Sequence, residues 1–121
     1  MRKRDEQILQ EHFCHYLDAK GLLYTASMMG VNLPVRYAVM RKKMGCKKGA
    51  PDLMIFEPNK EYKGLFIELK SPTGNTKDIE QNRWQEELNK RGYLAIIMPR
   101  IDDFSKAFNW FRNIVEEYMS T

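Results

Sequence analysis

Along the first twenty residues, Ile8, Leu9, His12, Phe13, Tyr16 and Leu17 recur at helical spacing, and Gly21 follows as a stop. That pattern predicts an amphipathic helix over residues 5–20. Leu22 to Met29 reads as a short strand. Pro34 then opens a second predicted helix, Val35–Met44, closed by Gly45 and followed by a lysine-rich turn to Gly49. Two short apolar runs, Leu53–Phe56 and Leu65–Leu69, are separated by the turn-prone Pro58-Asn59 and by Gly64, which predicts a β-hairpin of buried strands. Helical periodicity returns over Thr76–Arg91 with Ile79, Trp84 and Leu88 inward, and Gly92 ends it before the apolar strand Tyr93–Met98. A last helix starts near Asp102. It carries one apolar stripe of Phe104, Phe108, Phe111 and Val115 and an adjoining one of Ala107, Trp110, Ile114 and Tyr118, an arc wide enough to be either deep core or an interface. Helix, strand, helix, strand, strand, helix, strand, helix is the order of an α/β fold, a mixed sheet flanked by helices.

Composition narrows the class. A chain of 121 residues suits one domain spanning residues 1–121, and 43% hydrophobic with 12% aromatic residues excludes a disordered polymer. Charged residues at 30%, with no long apolar run, exclude a membrane span. The charged start Met1-Arg-Lys-Arg-Asp-Glu6 leads into no apolar segment of the secretory kind, so a cytoplasmic protein is expected. Cys14 and Cys46, far apart and outside any C-x-x-C pattern, suit free thiols. Net charge is +4, but its distribution is more informative than its sum. Arg36, Arg41, Lys42, Lys43, Lys47 and Lys48 crowd together just ahead of Ala50-Pro51-Asp52, placing a positive field beside an acid and making these six the candidate DNA-phosphate contacts.

The chemistry should lie on the two hairpin strands. Residues i and i+2 of a strand share a face, so Glu68 and Lys70 point the same way from a run that is otherwise Leu65, Phe66, Ile67 and Leu69. Ionisable groups in such a run are costly unless paired, solvated or bound to metal, and the same holds for Asp52 at the head of Asp-Leu-Met-Ile-Phe. If the strands are neighbours, Asp52 and Glu68 converge on one cation with Lys70 at its edge. Hard carboxylate oxygens favour Mg²⁺ or Mn²⁺, one or two ions per site, over zinc. An E-x-K tripeptide alone is more often an ordinary strand pair, but Pro51-Asp52 at this spacing and Gln81 on the next helix reverse that balance. His12, Cys14 and His15 also invite a metal reading, yet i, i+2 and i+3 on a helix converge poorly, and packing or surface roles fit them better.

Pro51-Asp52, fifteen residues, then Glu68-Leu69-Lys70 resembles the signature of the PD-(D/E)xK nucleases. Gly45-Cys-Lys-Lys-Gly49-Ala-Pro51-Asp52-Leu53, Glu68-Leu-Lys70-Ser, and Gln81-x-x-Trp84 ahead of Leu88 and Gly92-Tyr93 resemble, within that superfamily, the virus-type replication-repair nuclease (VRR-NUC) family, over nearly the whole chain. The resemblance implies a restriction-endonuclease-like fold. It also implies a metal held by Asp52, Glu68 and the Leu69 carbonyl, with Gln81 completing the site. A first-helix acid facing the metal is implied as well, Glu6 in preference to Glu11. The implied activity is a metal-dependent, structure-specific DNA endonuclease acting as a homodimer on branched DNA such as four-way (Holliday) junctions, of the kind found in bacteria or virus-infected cells. Cleavage of flaps or single-stranded ends, and a non-catalytic DNA-binding module of the same fold, are the alternatives.

Overall fold

The computed structural model describes residues 3–27, 34–69 and 79–121, with the side chains of its first helix described from Gln7 onward. The order is α1 (Lys3–Ala19), β1 (Tyr24–Ala26), α2 (Val35–Lys43), β2 (Leu53–Ile55), β3 (Leu65–Glu68), α3 (Ile79–Lys90), β4 (Leu94–Ile97) and α4 (Phe104–Met119). The strands form one mixed sheet in the order β1-β2-β3-β4, with the first three antiparallel and β3 parallel to β4 across the α3 crossover.

Strand alternation sorts the side chains into two layers. Leu53, Ile55, Leu65 and Ile67 join Leu9, Phe13 and Leu17 of α1 and Ala107, Phe111, Val115 and Tyr118 of α4 in the main core. Phe66 and Ala95 face the other way and meet Leu88 of α3, with Met54, Trp84 and Tyr93 at their edges. Antiparallel β2 and β3 as neighbouring buried strands agree with the hairpin read from the sequence. Their connection is fixed by Asn59, whose Oδ1 accepts the N–H groups of Glu61 and Tyr62 at 2.9 and 2.7 Å. The same Asn59 donates through Nδ2 to the Tyr118 carbonyl at 3.0 Å, while the Tyr118 hydroxyl donates to the Glu57 carbonyl at 2.7 Å. The end of α4 is thereby stapled to the hairpin.

Helices α1 and α4 meet through aromatic rings. Phe13 and Phe111 are both fully buried and stack with centroids 4.0 Å apart and planes 5° from parallel. Phe111→Ala is expected to destabilise the protein by about 3–5 kcal/mol, because the cavity and the lost transfer energy add. Urea denaturation followed by circular dichroism measures it; a loss under about 1 kcal/mol would mean that the site collapses around the gap. At its start, α4 is capped by Asp103, whose carboxylate accepts the Lys106 N–H at 2.9 Å. Its wide apolar arc divides: Ala107, Phe111, Val115 and Tyr118 are core, whereas Phe104 remains 38% exposed.

Three expectations need correction. Ile79 is not inward but 78% exposed. It lies about 200° around the helix from Gln81, and the side of α3 that faces the sheet carries Gln81, Gln85 and Leu88, so polar residues occupy places an apolar pattern would reserve for hydrophobics. His12 belongs to the helical pattern of α1 but is exposed, its ring meeting Phe104 edge-on at 5.2 Å. The first strand is shorter than expected, beginning at Tyr24; residues 28–29 of that expectation, and 76–78 of the third helix, lie outside the described residues. Helix α2 forms where Pro34 and Gly45 bracket it but buries none of its residues. Among the described residues no helix is long and apolar enough to cross a membrane.

Candidate active site

The register of β2 on β3 pairs Leu53 with Ile67. One further step along both strands sets Asp52 opposite Glu68, and side chains directly opposite in an antiparallel pair leave the sheet on the same face. Parity says which face. Asp52 shares it with Met54, and Glu68 with Phe66, so both carboxylates emerge toward α3. This is the end of the sheet where β3 and β4, the parallel pair, both finish.

Local hydrogen bonds fix the two acids. Asp52 Oδ2 accepts the backbone N–H of Leu69 at 2.8 Å, so the Asp52 carboxylate lies against the first peptide beyond β3. The Glu68 carbonyl accepts from the Met98 N–H and the Asp52 carbonyl from the Ser27 N–H, each at 2.8 Å, which extends the sheet on both flanks of the site. Glu68 is 7% exposed and is the buried charged residue among those described. Gln81 Nε2 donates to its Oε1 at 2.7 Å. A buried carboxylate needs such compensation, since desolvation penalises its charge by several kcal/mol. Gln81 therefore answers to Glu68, and α3 is docked at this end by a polar contact.

Asp52, Glu68, Leu69 and Gln81 thus come together. Two carboxylates from adjacent strands, hard oxygen donors both, suit a hard divalent cation. The backbone of Glu6 lies in α1, and its side chain is outside the description; Lys70 is outside the described residues altogether. Glu11, the other first-helix acid, is exposed and accepts from Gln7 Nε2 at 3.4 Å. Of His12, Cys14 and His15, the cysteine is the most enclosed; burial, the largest influence, pushes its thiol up from the ordinary value.

The six basic residues separate into two groups. Arg36, Arg41, Lys42 and Lys43 ride on α2, where the Arg36 guanidinium lies 4.7 Å from the centroid of the Tyr37 ring. Lys47 and Lys48 belong to a turn held against α3. Trp84 Nε1–H donates to the Lys48 carbonyl at 3.1 Å. Gly49 follows with φ +88°, and a Cβ there would stand 2.7 Å from the backbone carbon of Glu80. Only glycine allows both that conformation and that approach. The basic turn consequently rests one residue from Gln81. Arg83 of α3 and Arg91, just past its end, share its cleft, and the basic cluster read from the sequence does not include them; the available signal is their spacing from Trp84 at helical period.

Comparison with curated proteins found no match. Solved structures that share the fold include the following two. A "VRR_NUC domain protein" superposes with a TM-score of 0.71 at 22% identity, covering 99% of this chain and 92% of that one. A second, described as "VRR_NUC domain", gives a TM-score of 0.59 at 22% identity, covering 94% of this chain and 97% of its own. The family model of the VRR-NUC domain matches residues 3–99, and the chain therefore belongs to the VRR-NUC family, nucleases of the PD-(D/E)xK type that are generally metal-dependent.

Proposed function

We propose that this protein is a Mg²⁺- or Mn²⁺-dependent DNA endonuclease that hydrolyses phosphodiester bonds in branched DNA, four-way junctions among them. The observation that carries the reading is the pairing of Asp52 with Glu68 on one face of the sheet, beside the Leu69 peptide and Gln81. Asp52, Glu68 and the Leu69 carbonyl would hold the cation, which when bound supplies a more acidic water and charge neutralisation at the phosphate. Gln81 keeps the Glu68 carboxylate in one orientation. The family resemblance would add Glu6 to this site, and Lys70, two positions from Glu68, would position or deprotonate the attacking water. Asp52, by accepting from the Leu69 N–H, also ties down the residue whose carbonyl would serve as ligand.

A panel of four-way junction, flap, single-stranded and linear duplex DNA, incubated with Mg²⁺, Mn²⁺ or EDTA, tests this. Cation-dependent strand cleavage that is fastest on branched substrates is expected. No cleavage of any substrate under any cation, with DNA binding intact, would make the protein a binding module. One observation favours flaps or single-stranded ends as a second reading: the cleft beside α3.

Binding should draw on the basic stretch. Replacing Lys42, Lys43, Lys47 and Lys48 with glutamine is expected to weaken DNA binding and flatten its salt dependence, by up to about 0.9 in the logarithmic slope for each phosphate no longer neutralised. An unchanged slope in fluorescence-anisotropy titrations at several salt concentrations would place the phosphates elsewhere.

The reading also includes a homodimer, since a two-fold pair of identical subunits supplies the two cuts that a four-way junction needs. Multi-angle light scattering at micromolar protein is expected to return twice the 14.4 kDa chain mass. A strict monomer, with and without junction DNA, would reject it and favour cleavage of one strand at a time.

A further inference from the structure

Along the flank of α3 runs a cleft of about 620 Å³, lined by Lys47, Lys48, Arg83, Trp84, Leu88 and Arg91 together with Glu80 and Glu87. Its α3 residues begin at Glu80, next to Gln81, and continue to Leu88, a span of about 12 Å at the helical rise, with Arg91 just beyond the helix end. One end of the cleft therefore adjoins the candidate active site.

Its chemistry is that of an aromatic floor with a cationic rim. The indole N–H of Trp84 is committed to the Lys48 carbonyl, so Trp84 offers the cleft its apolar ring surface, extended by Leu88. Arg91 is held by Glu87 at 2.6 Å, and this pair largely cancels in charge. Lys47, Lys48 and Arg83 enter no ion pair among the described residues. Three cations thus face one further acid, Glu80, beside an apolar ring.

We propose that this cleft binds an unpaired, single-stranded segment of the substrate nucleic acid, bases against Trp84 and phosphates against Lys47, Lys48 and Arg83. The inference rests on the nuclease reading above and deepens it, by naming which part of a branched substrate lies beside the scissile bond. Aromatic stacking with a basic track is the general mode of single-strand binding, because every base has a π-face and every nucleotide a phosphate. A duplex cannot use the site in this way, since its bases present only their edges in the grooves. The cleft has the volume of a small-ligand pocket, which suits a few splayed nucleotides better than a whole duplex. An acidic peptide would meet the same cations but gain nothing from the ring.

The test separates binding from catalysis. In Trp110→Phe protein, Trp84 is the sole tryptophan, and its fluorescence is followed in EDTA during titration with a short oligothymidylate, a blunt duplex or a polyglutamate peptide. Saturable quenching by oligothymidylate and little by the other two is expected. In the wild-type background, Trp84→Ala is expected to weaken binding of a single-stranded oligonucleotide about 5- to 150-fold, the range typical of removing one stacking platform. Arg83→Glu, at an exposed position that leaves the fold intact, should weaken it too and flatten its salt dependence, while Arg112→Glu on α4 should not. Quenching equal for duplex or for peptide, or Arg83→Glu without effect, overturns the proposal. If junctions are cleaved while oligothymidylate fails to quench, the cleft assignment falls and the nuclease reading stands. If quenching is intact but no substrate is cleaved, the nuclease reading falls and the cleft assignment stands.

Discussion

Asp52→Asn and Glu68→Gln are each expected to lower the rate of DNA cleavage by about three orders of magnitude or more while leaving DNA affinity and folding nearly unchanged. The amides are chosen for what surrounds each acid. Asp52 Oδ2 accepts the Leu69 N–H, and an asparagine carbonyl oxygen can accept it too, whereas alanine would leave that donor without its acceptor at a cost of about 1–3 kcal/mol. A glutamine at 68 likewise keeps an acceptor for Gln81 Nε2 and removes a buried charge, so Glu68→Gln should unfold no more readily than the parent. What both substitutions remove is a negative oxygen available to a cation. DNA affinity should hold or rise without metal, because each variant takes one negative charge from a site that phosphate must approach. Single-turnover cleavage of a junction in Mg²⁺, with thermal denaturation as the folding control, decides the matter. Substantial cation-dependent cleavage by either variant would move the active site elsewhere.

Much of this site is legible before any coordinates, for a physical reason. A carboxylate inside a run such as Leu-Phe-Ile-Glu-Leu is costly unless paired, solvated or bound to metal, and strand period alone gives Glu68 a face. The hairpin reading sets Asp52 beside it, and the register of β2 on β3 agrees. Legibility fails where polar groups do the work of packing. The inner face of α3 carries Gln81 against Glu68 and Gln85 Nε2 against the Ala95 carbonyl at 3.2 Å, so a rule that turns hydrophobics inward rotates the helix wrongly and buries Ile79. Contacts made by backbone are also invisible to residue type. Nothing in the letters Lys47-Lys48-Gly49 says that the turn lies on Glu80 and Trp84, yet that contact divides the basic stretch into a part beside the site and a part on α2. The arc of α4 shows a third limit: periodicity identifies its apolar surface but not which portion α1 and the sheet cover.

Lys70→Ala is expected to lower the cleavage rate by about two orders of magnitude or more with little change in the affinity for the cation. Lys70 lies outside the described residues, and strand period and chemistry together suggest its role. Two positions beyond Glu68, it is expected from strand period alone to share that residue's face. An ammonium there repels a cation and therefore adds no ligand, but it can hold an attacking water or hydroxide in line with the phosphorus and offset charge gathering on the phosphate. Lys70→Arg separates these tasks from plain charge. Guanidinium is planar, bulkier and protonated at every accessible pH, so it retains the positive charge but neither the compact position nor the ability to take a proton. Recovery in Lys70→Arg should be slight, and the pH–rate profile of the parent should carry an ionisation that the variant lacks if lysine acts as base. If both variants share the parent's profile and only the overall rate falls, Lys70 serves by position and charge. Full activity in Lys70→Ala would remove it from the mechanism and leave Asp52, Glu68 and the bound cation to orient the water unaided.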